Sequence, residues 1–151
     1  MVFVLVFLVA LTAGSGAFFT PGPWYETLDK PAWTPPNRAF PIVWTGLYVL
    51  MAITGWLVWR EAGWSLALVL WMVQLAANAM WSALFFGLRR IGLALIDALA
   101  MWVLVAAFIA VAVPLSIWAA IMFVPYLAWL SLAVALNWSI WRRNGTAAAA
   151  D

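Results

Sequence analysis

The chain has 151 residues, 69% of them hydrophobic and only 8% charged, where a soluble domain carries roughly a quarter charged residues. It contains no Cys and no His, which excludes disulfides, thiolate or imidazole metal sites, the usual axial ligands of haem and acid–base chemistry by imidazole. The formal net charge of +2 rests on seven cations and five anions, so it speaks about membrane topology and not about nucleic acid.

Five apolar runs follow one another, at about 1–19, 42–60, 65–87, 91–113 and 116–141, each near the ~20 residues that a helix needs to cross ~30 Å of hydrocarbon. A membrane β-barrel would alternate apolar and polar residues along ~10-residue strands, and runs such as ALALIDALAMWVLVAAFIAVAV are apolar on every side. The expected fold is therefore an all-α integral membrane bundle of five transmembrane helices, a single domain over residues 1–144 with a flexible tail at 145–151. The first run ends in AGSGA, which resembles a secretory cleavage site, but no Lys or Arg precedes it, so it is read as the first span.

Between the first two runs lies GPWYETLDKPAWTPPNRAFPIVW (22–44). Pro21, Pro23, Pro31, Pro35, Pro36 and Pro41 leave no room for a long helix and stiffen the segment. Trp24, Tyr25, Leu28, Trp33 and Phe40 among its polar residues predict that it folds back and buries its aromatics. Residues 20–41 thus read as a structured lid. Lys30, Arg38, Arg89, Arg90, Arg142 and Arg143 fall on the lid side and only Arg60 on the other, which predicts an outside N-terminus and a cytoplasmic C-terminus. Short connections predict that consecutive helices from the second onward are antiparallel neighbours.

Polar side chains within spans mark helix packing or a site. The second span opens with Trp44 and Tyr48 at i, i+4, and the third carries Gln74, Asn78, Trp81 and Phe85 along one face. Ala76, Ala79 and Ala83 allow close approach of another helix or of a second subunit. The fourth span carries Asp97, which needs a partner or a proton: a clamp to a terminal Arg and a ligand contact stay equally open. The fifth holds Asn137, and Pro125 at its middle predicts a kink and an irregular interior. Of the 13 Trp, Trp56, Trp59, Trp64, Trp118 and Trp141 are assigned to the interfacial belts, while Trp44, Trp81, Trp102 and Trp129 are candidate walls for a flat aromatic ligand.

The stretch WYETLDKPAWTPPNRAFPIVWTGLY closely resembles the signature of the TspO/MBR family, and VWREAG, QLAANAMWSALFFGLRRIGLALID and PYLAWLSLAVALNWSIWRRN resemble its later segments in order, over about residues 20–144. The resemblance implies a five-helix protein, often dimeric, that binds porphyrins, sterols and hydrophobic aromatic drugs under the first loop; the small residues of the third helix offer a surface for a homodimer. It implies no obligatory cofactor, with protoporphyrin IX or haem as ligand. Carried over residue by residue, it places Trp33, Pro35, Trp44, Tyr48, Gln74, Asn78, Trp81, Asp97, Trp129, Ala133 and Leu136 in the pocket. Trp44 and Trp129 match tryptophans implicated in light-dependent porphyrin breakdown. The sterol pattern departs from the family's: it reads LNWSIWR, with Leu136, Trp138 in place of Tyr, and Arg142, and such patterns are weak even when intact. Leu93 stands where vertebrate members have Trp. The expected function is a tetrapyrrole-binding sensor in a bacterial cell membrane, embedded among lipids. The alternatives are a porphyrin-degrading activity of the pocket tryptophans and a tetrapyrrole or sterol transporter. The sequence shows no acid–base or nucleophilic machinery and no repeats or coupling carboxylates. With Lys30 the only Lys, no span offers a Schiff base for retinal.

Overall fold

The computed structural model of the protein describes residues 1–19 and 21–144 in full, and only the backbone of 145–150; the flexible tail expected at 145–151 lies outside the fully described residues. Among the described residues there is no strand. The elements are α1 (Val2–Phe18), a five-residue α2 (Pro23–Thr27), α3 (Ala39–Ala62), α4 (Leu66–Ser82) running into a π-helical turn (Ala83–Gly87), α5 (Ile91–Ala112) and α6 (Ile117–Ala150). Four helices are long and apolar enough to cross a membrane: α3, α4 with its π turn, α5, and α6 over Ile117–Asn144. At 17 residues, α1 is shorter, about 25 Å at 1.5 Å per residue.

Local chemistry sets the helix ends. Gly63 closes α3 at φ 58°, with its N–H bonded to Trp59 O, a left-handed position that favours glycine. Two residues on, Ser65 Oγ accepts from Leu68 N at 3.3 Å and caps α4. Ser116 does the same for α6, accepting from Ala119 N. Pro125 lies inside α6, which continues through it as one helix.

Neighbourhood in space departs from order in the chain. The helices form a closed ring in which α1 packs on α3 and α4, α4 on α5, α5 on α6, and α6 on α3. From the second span onward consecutive helices are expected to be neighbours, and α4 with α5 and α5 with α6 are, but α3 and α4 touch sparingly despite their short connection, because α1 occupies part of the space between them. Leu5, Val9 and Thr12 form the buried stripe of α1, and Ser15 Oγ donates to Ala79 O at 3.0 Å, tying α1 to α4.

Where α3 and α4 do meet, Trp71 is fully buried and its Nε1 donates to Met51 O at 2.9 Å. Its ring lies against Gly55, where an added Cβ would come within 2.6 Å of it. The indole is held by its hydrogen bond and has nowhere to retreat. Gly55→Ala is therefore expected to destabilise the bundle by about 1–3 kcal/mol, the usual range for overpacking. Reversible unfolding in mixed micelles would read this as an earlier midpoint, and an unchanged midpoint would show that the contact yields.

The opening loop folds back on the bundle. Tyr25 and Leu28 are buried in a second apolar cluster with Phe85, Ile91, Ala94, Leu136 and Ile140, at the end of the bundle where α4 stops, α5 starts and α6 nears its finish. Burial, reinforced by Glu26, holds the Tyr25 phenol above its ordinary pKa. Lys30 Nζ sits 4.6 Å from the centre of that ring and donates to Tyr25 O at 2.8 Å. Asn144 exchanges two 3.0 Å hydrogen bonds with the backbone of Asp29, whose carboxylate lies 3.6 Å from Arg143. These contacts fasten the loop to the end of α6.

Candidate functional site

Beneath the loop lies a cavity of about 560 Å³. Its walls come from aromatic side chains that helical spacing places one above another. On α3, Trp44 and Tyr48 stack at 5.6 Å with 28° between their planes. On α4, Trp81 and Phe85 stack at 5.1 Å and 26°. On α6, Trp129 meets Trp44 edge to face at 6.4 Å and Phe40 at 5.8 Å. The π turn makes the backbone wider than an α-helix, and both of its consecutive phenylalanines, Phe85 and Phe86, line the cavity. The AGSGA segment of α1, read by itself as small residues, supplies Ala13, Gly16 and Ala17 to the wall.

Two polar networks hold these walls in place. In the first, Tyr48 Oη donates to Asn78 Oδ1 at 3.1 Å and Asn78 Nδ2 donates to Tyr126 Oη at 2.8 Å. Tyr126 Oη donates in turn to Gln74 Oε1 at 2.7 Å. In the second, Trp81 Nε1 donates to Asn137 Oδ1 at 2.9 Å, and Asn137 Nδ2 to Ile91 O at 3.0 Å. Together they join α3, α4, α5 and α6. Trp129 Nε1 is buried without a hydrogen-bond partner among the described residues.

Of the residues expected in the pocket, the structure brings Trp44, Tyr48, Asn78, Trp81, Trp129, Ala133 and Leu136 to the lining. It does not bring the others. Gln74 is fully buried and bonded to Tyr126, behind the wall. Asp97 is buried beside the lining residue Ala98, with Oδ2 lacking a hydrogen-bond partner. Arg60 pairs with Glu61 and Arg143 with Asp29, so Arg143 is engaged away from Asp97. Trp33 is half exposed and, like Pro35, lies outside the lining. Trp102 also departs from its expected place: it is partly exposed and its Nε1 donates to Ser131 Oγ at 2.9 Å, joining α5 to α6 on the outside. In the altered sterol pattern, Leu136 faces the cavity while Trp138 is exposed under the Arg142 guanidinium at 5.1 Å, so the three residues do not share one surface.

Asn137 and Phe86 line the cavity, and the fully buried Tyr126 braces its wall from behind, without having been assigned to the site from the sequence. Tyr126 lies one turn before Trp129 on the stripe that continues through Ala133, Leu136 and Ile140. Extending that stripe backwards would have found it.

A bundle of helices long and apolar enough to cross a membrane, around an aromatic-lined cavity, defines an integral membrane protein. A sequence model of the TspO/MBR family matches residues 3–142, and the chain belongs to that family. It is 39% identical over 148 residues to Protein CrtK of Rhodobacter capsulatus, covering 94% of this chain and 92% of the relative. To the tryptophan-rich sensory protein of Cereibacter sphaeroides it is 41% identical over 142 residues, or 93% and 90%. To the translocator protein of Homo sapiens it is 40% identical over 126 residues, or 80% and 75%.

Proposed function

We propose that the protein is a membrane sensor that binds a tetrapyrrole in the aromatic chamber, with the opening loop as its lid. The observation that carries this reading is a cavity of about 560 Å³ whose walls include two stacked ring pairs, Trp44 with Tyr48 and Trp81 with Phe85; flat π-faces suit a flat conjugated ligand. In this reading α1 is the fifth span, the loop and C-terminus are cytoplasmic, and a second copy docks on the outer face of α4. The words "sensory" and "translocator" in the relatives' names accord with a membrane sensor or binding protein.

The second reading, light-driven breakdown of the bound porphyrin, draws on the edge-to-face contact of Trp44 and Trp129 in one wall, which puts two oxidisable indoles beside the ligand. One titration separates the two. Protoporphyrin IX and haem are each added to the purified protein and tryptophan quenching is followed. Illumination then reports any loss of the porphyrin spectrum in wild type, Trp44→Phe and Trp129→Phe. Saturable quenching at micromolar concentration without spectral loss is the result expected of the sensor. Loss that disappears in the Trp variants would establish the degrading activity, and no quenching by either compound would sink the tetrapyrrole reading.

A further inference from the structure

Protoporphyrin is a dicarboxylate, and an ionised carboxylate buried without a partner is strongly unfavourable. Where its charges rest therefore decides how it binds. None of the described residues lining the cavity is charged; the polar groups there are hydroxyls, amides and indole N–H groups. Two acids lie beside the lining. Glu26 accepts a hydrogen bond from the lining residue Asn37 at 2.7 Å, and Asp97 adjoins the lining residue Ala98.

Several cations gather at the same end but are turned to other tasks. Lys30 bonds to the carbonyls of Tyr25 and Leu28, Arg143 pairs with Asp29, Arg142 lies over Trp138 and Arg89 over Trp24. Ala17, Pro21, Pro41 and Thr45 line the cavity and are also exposed, which marks its mouth between the end of α1 and the start of α3. Arg38 is exposed and adjoins that mouth in the chain, next to the lining residue Asn37 and three residues before Pro41.

We propose that the chamber selects its ligand by charge: it admits the uncharged aromatic face of the ligand and keeps ionised carboxylates at the mouth, beside Arg38. This rests on the tetrapyrrole reading and adds a rule to it. Uncharged aromatic compounds enter whole, whereas a dicarboxylate has one permitted orientation.

The test uses the full chain in detergent, titrated with protoporphyrin IX and with its dimethyl ester, and reads tryptophan quenching. The diester is expected to bind wild type at least as tightly as the diacid. Arg38→Gln is expected to weaken the diacid by about two- to fivefold, the range of an exposed charge pair, and to leave the diester unchanged. Thr45→Lys, which adds a cation at an exposed position of the mouth, is expected to tighten the diacid alone. Arg90→Gln, an exposed cation outside the lining, should alter neither. A diester bound tenfold more weakly than the diacid would mean that the carboxylates are paired inside, and would overturn the charge rule while leaving tetrapyrrole binding intact. Equal weakening of both ligands by Arg38→Gln would also overturn it. If neither compound quenches wild type, the tetrapyrrole reading itself fails.

Discussion

Ala133→Trp is expected to reduce tetrapyrrole affinity by more than tenfold, a change of at least about 1.4 kcal/mol, while leaving the protein folded. Ala133 lies one turn beyond Trp129 on α6 and borders the cavity without being fully buried. An indole placed there grows into open space and not into the packed core, so it occupies the volume that the ligand would take. The core proper, around Trp71, Phe108 and Phe123, is untouched. Quenching titrations with protoporphyrin IX supply the affinity, and circular dichroism on heating shows whether the bundle is intact. Wild-type affinity in a folded variant would mean that the ligand binds somewhere else.

Tyr126→Phe is expected to act in the opposite way, lowering stability by about 2 kcal/mol with less than a threefold change in affinity. The phenol is fully buried and bonds to both Asn78 and Gln74. Removing one oxygen strands Asn78 Nδ2 and Gln74 Oε1 together with Gln74 Nε2, which already has no partner. Each buried polar group left unmatched is worth about 1–3 kcal/mol in water-soluble proteins and less, roughly 0.6–2, between membrane helices. Tyr48→Phe breaks a single bond on a partly exposed ring and should have a smaller effect. Unfolding of both variants in mixed micelles would test the order; equal midpoints would show that the network is not coupled through Tyr126.

The sequence revealed the site best where polar and aromatic residues share a helical face. Trp44 with Tyr48, and Asn78 with Trp81 and Phe85, are each spaced by three or four residues and meet the cavity as that spacing demands. The same reasoning failed for Trp102, because α5 is apolar on all sides and its periodicity does not tell which face looks inward. The buried stripe of α5 runs through Ala94, Ala98, Met101 and Val105, and Trp102 is one residue, or ~100°, off it. Asp97 and Gln74 were legible as residues needing an interior, but whether an interior is a cavity or a packed seam depends on side chains of other helices. The π turn had no local signature either, since ALFFG continues an apolar helix without Pro or polar punctuation. Four of the five expected spans are long enough to cross a membrane by themselves. The fifth, α1, gains its place from Leu5, Val9 and Ser15, whose partners lie far along the chain.

That distance bears on how the bundle is assembled. During synthesis α1 emerges before α3 and α4, yet Ser15 finds its acceptor, Ala79, 64 residues downstream, after α3 and most of α4 have been made. The helix that supplies Ala13, Gly16 and Ala17 to the chamber must therefore wait in the lipid, or against α3 alone, until α4 arrives. The part of the cavity wall that α1 supplies can be fastened to α4 only once α4 has been made.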